Sequence, residues 1–187
     1  MALLYKWSGN CGLHGRPFTR ALAGFKKNGN SPHTLVINSD NGPDNSGVRS
    51  QWLKRLIEFS ALKNIKVQLA YYPPYHSKYN PIERVFGVLE NYWNGDPLRS
   101  VEKALGFASE MTYNGVHPIT QLIPKIYAKG VKLSNKARQH YERALSRLPE
   151  LRKWFITIEP KIARHICELA IYMELFYFAV CLKHFLP

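Results

Sequence analysis

Acidic residues are scarce in this chain. Its 187 residues hold 13 Asp plus Glu against 26 Lys plus Arg, a formal charge of +13 with a pI near 9.8, and no acid precedes Asp40. A basic excess of that size attracts polyanions, nucleic acid first and anionic membrane second, or else is a solvated surface. Cysteine is also rare. Cys11, Cys167 and Cys181 are odd in number, far apart and without a CxxC, so neither a zinc signature nor a disulfide framework is present. That usage fits a reducing cytoplasm. The opening "MALLYKWSGN" is too short and too polar for a secretory signal. No internal repeat or low-complexity segment stands out.

What is present describes one globular unit. Aliphatic and aromatic residues form 45% of the chain, enough for a core and against global disorder. Residues 1–32 are rich in Gly, Asn, Ser and Pro and read as irregular, with a short helix near "FTRALAGFKK". "HTLVINSD" (33–40) reads as a buried strand, and "SGVRSQWLKRLIEFSALKN" (46–64) as a helix capped by Ser46. "IKVQLAYYPP" (65–74) alternates apolar and polar residues, as a second strand does. Strand, helix and strand with short links predict a βαβ unit with parallel strands. Asn80-Pro81 then opens a helix whose apolar face carries Ile82, Val85, Phe86, Leu89 and Trp93. Trp52 and Trp93 both fall on apolar faces and read as core. Further helices are expected over 98–112 and 134–148, and a short strand or extended end over 152–158. The stretch from Ile166 to Leu182 is apolar for 17 residues but contains Glu168 and Glu174, so it reads as a buried or partner-seeking helix rather than a membrane anchor.

Two acids stand where chemistry is expected. Asp40 ends the first strand in "VINSDNGPDN", and Glu83 lies in the first turn of the helix after the second strand. In an open α/β sheet, sites form beyond the carboxyl ends of the strands. A crossover would return Glu83 over Asp40, and two converging carboxylates suit a hard cation, Mg²⁺ or Mn²⁺. Each acid also has a purely local use. Asp40 can close an Asx turn onto Gly42, and Glu83 can serve as the N3 carboxylate of a capping box with Asn80. Asn41 either orients a metal-bound water or shapes the turn. His76, Lys78, Tyr75 and Tyr79, in the loop before Glu83, are placed to contact phosphate or stack on bases, or the tyrosines pack the loop. Arg84, Arg49, Lys54 and Arg55, with Lys132, Lys136, Arg138, Arg143 and Arg147, are backbone-contact candidates or a solvated face.

"INSDNGPDN" followed by "YYPPYHSKYNPIERVFGVLENYWNG" resembles the DDE transposases of bacterial insertion sequences, a mariner-like group, nearest the ISAzo-type branch. The resemblance covers about residues 15–159, including "WNGDPLRSVE" and "GVKLSNKARQ". It implies an RNase H-like (retroviral-integrase) α/β fold and Mg²⁺-dependent cleavage and strand transfer at insertion-sequence ends. It also implies two metal ions and DNA as the partner, in the bacterial cytoplasm at the nucleoid. Asp40 would be the second and Glu83 the third of three catalytic carboxylates. The first should lie upstream on the opening strand, where this sequence has no acid. The expectation is therefore a truncated fold, inactive alone, with the N-terminal half supplied in trans and with homo-oligomers or exposed sheet edges. Residues 33–112 would be the partial catalytic core, 113–159 a basic helical extension and 160–187 an apolar tail outside the resemblance, which fits out-of-frame readthrough. Two other readings stay open: a non-catalytic DNA-binding module derived from a transposase, and another Mg²⁺-dependent nuclease of the same fold.

Overall fold

The computed structural model describes residues 32–43, 45–73, 81–120, 122 and 132–183, with side chains left aside at 81 and 172–183. Strand β1 (Thr34–Ser39) turns Leu35, Ile37 and Ser39 inward and Thr34 and Val36 outward, the alternation a pleated strand imposes. Helix α1 (Ser50–Lys63) follows, burying Trp52, Leu53, Leu56, Ile57 and Phe59 along one face. Asn64 ends it in the left-handed region at φ 53°, with its N–H returned to the Ser60 carbonyl, a stop that Asn tolerates. The Ser60 hydroxyl donates to the Ile65 carbonyl at 2.7 Å and steers the chain into β2 (Lys66–Tyr71).

β2 pairs with β1 in parallel, and Thr34 faces Lys66 while Ser39 faces Tyr71. The expected βαβ unit is therefore present, with both strands finishing at one edge. Helix α1 starts at Ser50, one turn later than the expected Ser46 cap. Arg49 takes the cap position without a side-chain bond, and Ser46 only accepts the Arg49 N–H at its carbonyl. The residues before it are committed to the loop described below.

Helices α2 (Pro81–Tyr92) and α3 (Val101–Glu110) pack on each other. Ser100 caps α3 by accepting the Lys103 N–H, and the Lys103 ammonium pairs with Asp96. Among the described residues neither helix contributes to the main core cluster, and Trp93, expected in the core, stays half-exposed.

The segment 134–148, expected as one helix, divides. Helix α4 (Asn135–Glu142) stops after two turns, and Leu145–Arg147 becomes strand β3. β3 pairs antiparallel with β4 (Phe155–Ile158), which pairs antiparallel with β2, so the sheet order is β1-β2-β4-β3. Tertiary pairing overrides the helical propensity of "ERALSRL", because closing the turn after α4 buries Ala144 and satisfies the backbone against β4. Residues 113–159 supply two of the four strands found among the described residues. The result is a mixed α/β fold consistent with the RNase H-like class.

Helix α5 (Pro160–Lys183) begins inside the core. Ala163 and Ile166 are buried, with Cys167 and Ala170 half-buried beside them, and α5 makes the most extensive helix–helix contact of the described residues, against α1. The buried His140 of α4 donates its Nε2–H to the Ile166 carbonyl at 2.7 Å, tying α4 to the same turn. The first turns of the tail therefore complete the core. No described helix is long and apolar enough to cross a membrane.

Because Ala163 has no exposed surface, Ala163→Leu overpacks the α1–α5 contact and should cost about 1–3 kcal/mol. A urea midpoint unchanged by this substitution would show that α5 does not dock on α1.

Candidate active site

The parallel register sets the Asp40 rim. Ser39 and Tyr71 face each other at the last paired position, and the Tyr72 N–H donates to the Ser39 carbonyl at 2.9 Å. Asp40 is the first residue beyond the pairing and is exposed. Behind it runs a buried chain of hydrogen bonds. Trp52 Nε1–H donates to the Tyr71 hydroxyl at 3.1 Å, and that hydroxyl donates to the Asn45 carbonyl at 2.8 Å. Asn45 Nδ2 then donates to Ser39 Oγ at 2.6 Å and to Asp40 Oδ1 at 2.9 Å. The Ser39 hydroxyl lies 3.0 Å from the Asp40 carbonyl and 3.4 Å from Oδ1.

One carboxylate oxygen is therefore oriented by the protein, while Oδ2 takes no hydrogen bond within the described residues. The bonds of Asp40 run to Ser39 and Asn45 and form no Asx turn onto Gly42.

Asn41 shapes the loop: its Oδ1 accepts the Gly47 N–H at 3.1 Å. Gly47 is required by contact rather than by φ. A Cβ there would sit 2.7 Å from the Lys153 carbonyl and 3.3 Å from the Tyr71 ring. The loop is thus clamped between Tyr71 and the turn before β4. Asn45, Tyr71 and Trp52 are the positioning residues that sequence reasoning did not assign to the site. The only available signal was a second Asn placed five residues after Asp40 in a loop already dense in turn formers.

The other sequence-derived site residues fall as follows. Glu83 lies half-buried in the first turn of α2, and Arg84 beside it is exposed. His76, Lys78, Tyr75 and Tyr79 lie outside the described residues, as does Asn80. Lys54 and Arg55 are both drawn to Glu58, at 3.7 and 2.7 Å, and Lys54 also lies over the Tyr141 ring. Their charges are partly spent within α1 and toward α4. No group of three or more His, Cys, Asp or Glu gathers to hold a metal within the described residues.

A family model described as the Rhodopirellula transposase DDE domain matches residues 26–160, well over half of the chain. The chain belongs to this family of DDE transposase domains. No curated protein and no solved structure matches it. The transposase match spans the four strands of the described residues and both ends of the βαβ unit, and ends where α5 begins.

Burial pushes the Tyr71 hydroxyl far above the usual phenol range; the Trp52 hydrogen bond and the Arg147 guanidinium pull it down, and the Asp40 charge adds to the rise. The folded state keeps this proton after the unfolded state has lost it. The stability linked to Tyr71 is thus complete below about pH 10 and declines as pH climbs further. Tyr71→Phe should lower stability near neutrality by about 1–3 kcal/mol for the lost buried bonds, read from urea unfolding, yet flatten the alkaline decline. Equal alkaline slopes in the two proteins would refute the buried placement. Gly47→Ala should displace the loop from Lys153 and weaken any cation binding at Asp40, read by Mn²⁺ titration.

Proposed function

We propose that this domain acts in DNA transposition through Asp40 and Glu83, which hold a divalent cation, Mg²⁺ or Mn²⁺, at a scissile phosphate. The observation that carries the reading is the state of Asp40: an exposed carboxylate at the end of two parallel strands, one oxygen fixed by Asn45, the other open. A hard carboxylate oxygen on a rim fits a hard cation. DDE transposases generally use such ions, which when bound polarise the phosphodiester and stabilise the leaving oxygen. The chain's own part is to orient Asp40, to supply Glu83 from the first turn of α2, and to hold the DNA with His76, Lys78, Tyr79 and the exposed Arg84. Lys54 and Arg55, engaged by Glu58, contribute less to that grip.

The resemblance calls for a third carboxylate. Residues 1–39 hold no acid, so the reading takes the third carboxylate from outside this stretch, on an N-terminal piece that completes the site. The same observation favours a second reading, a DNA-binding module without chemistry.

Asp40→Asn and Glu83→Gln separate the two. In the catalytic reading both variants keep DNA affinity within about twofold, since phosphate contacts by cations dominate binding. Both abolish Mg²⁺-dependent strand transfer once the complementing N-terminal piece is added. The chain alone should give no strand-transfer product. Robust product from the unaided 187-residue protein would overturn the shared site. Wild-type inactivity with the complementing piece present would leave the binding-module reading.

A further inference from the structure

A second concave site lies beside the Asp40 rim. A cleft of about 620 Å³ is lined by Arg138, Arg147, Arg152 and Lys153, with Glu142 and Val48 among its walls. Four cations face a single carboxylate. Arg147 is the fixed member: its side chain is only 13% exposed, its Nε donates to Glu142 Oε1 at 2.6 Å, and Nη1 donates to the Arg152 carbonyl at 2.8 Å. Two of its five N–H donors are so used. Arg138, Arg152 and Lys153 are exposed and form no ion pair within the described residues.

The cleft is joined to the candidate active site by the chain itself. Val48 in its wall follows directly on the loop that begins at Asp40, and Gly47 lies against the Lys153 carbonyl. Its remaining walls come from α4, β3 and the turn before β4, held together where Leu145–Arg147 and Phe155–Ile158 pair as strands. Like charges gathered in a concavity repel one another and focus a positive potential there, a cost that a polyanion removes.

We infer that this cleft is a DNA-backbone site: it grips phosphates of the strand whose scissile bond lies at Asp40, with Arg147 as the rigid contact and Arg138, Arg152 and Lys153 as the adaptable ones. The inference rests on the transposase reading and adds to it a second place where the strand is held.

The test uses the full chain and two 20-nucleotide probes, one single-stranded and one duplex, with affinity followed across a salt series. Arg138→Gln with Arg152→Gln removes two exposed charges and no side-chain bond among the described residues. Lys63→Gln with Lys161→Gln, at the opposite rim, removes the same charge and serves as control. The cleft variant should lose about tenfold in affinity on at least one probe, and its log–log salt slope should shrink by about 1.5. The control should change affinity by less than about twofold. Matching urea midpoints confirm that all proteins fold, and Arg152→Gln alone is the fallback should the pair not. Equal losses in cleft variant and control would overturn the cleft site while leaving DNA binding intact. A wild-type chain that binds neither probe at low salt would overturn the transposase reading and the cleft with it.

Discussion

The parallel pairing of β1 with β2 is the constraint on which the rest depends. Its register puts Ser39 opposite Tyr71, and everything at the rim follows from that pair. Tyr71 is long enough to reach the loop after β1, and Trp52 on the crossover helix holds its hydroxyl in place. A slip of β1 by one residue would turn Leu35 and Ile37 out of the core. The apolar face and the acidic rim are therefore specified by the same alignment. The energy comes from the buried aliphatic layer, while the polar chain from Trp52 to Asp40 adds geometry more than stability.

The far side of the sheet repeats this division of labour. β4 covers the second edge of β2, its Ile156 and Ile158 extend the apolar layer, and the carbonyl of Trp154, just before it, accepts the Tyr71 N–H at 2.8 Å. β3 then carries Arg147 toward the rim. A segment remote in sequence thereby presents its cations beside the loop of Asp40. Attraction for a polyanion and placement of a carboxylate come from opposite ends of the chain, joined by four residues of antiparallel pairing.

The sequence made the central unit readable because its signals were local. Apolar runs ended by turn formers marked β1 and β2, and the three-and-four spacing of Trp52, Leu53, Leu56 and Ile57 marked α1. Asp40 was legible for the same reason, as a carboxylate stranded at a strand end. What could not be read depended on distant partners. Leu145–Arg147 has the composition of a helix and becomes a strand only when β4 is beside it. Asn45 looks like any loop residue until Tyr71 meets its carbonyl from 26 positions away. The apolar tail announced a helix, yet nothing in its composition said that Ala163 and Ile166 would close the core against α1. The grip of Glu58 on Lys54 and Arg55 follows helical spacing, and i,i+3 and i,i+4 pairing was the available clue.

Within the described residues β1 has a neighbour on one side only. Its outer flank is a row of main-chain donors and acceptors with the geometry of a template. β3, at the other margin, offers just three residues, and the guanidinium of its last one is tethered back to Glu142 and Arg152. A further strand laid along β1 in the same sense as its host would finish beside Asp40, so the parallel register carries any residue at the end of such a strand to the same rim.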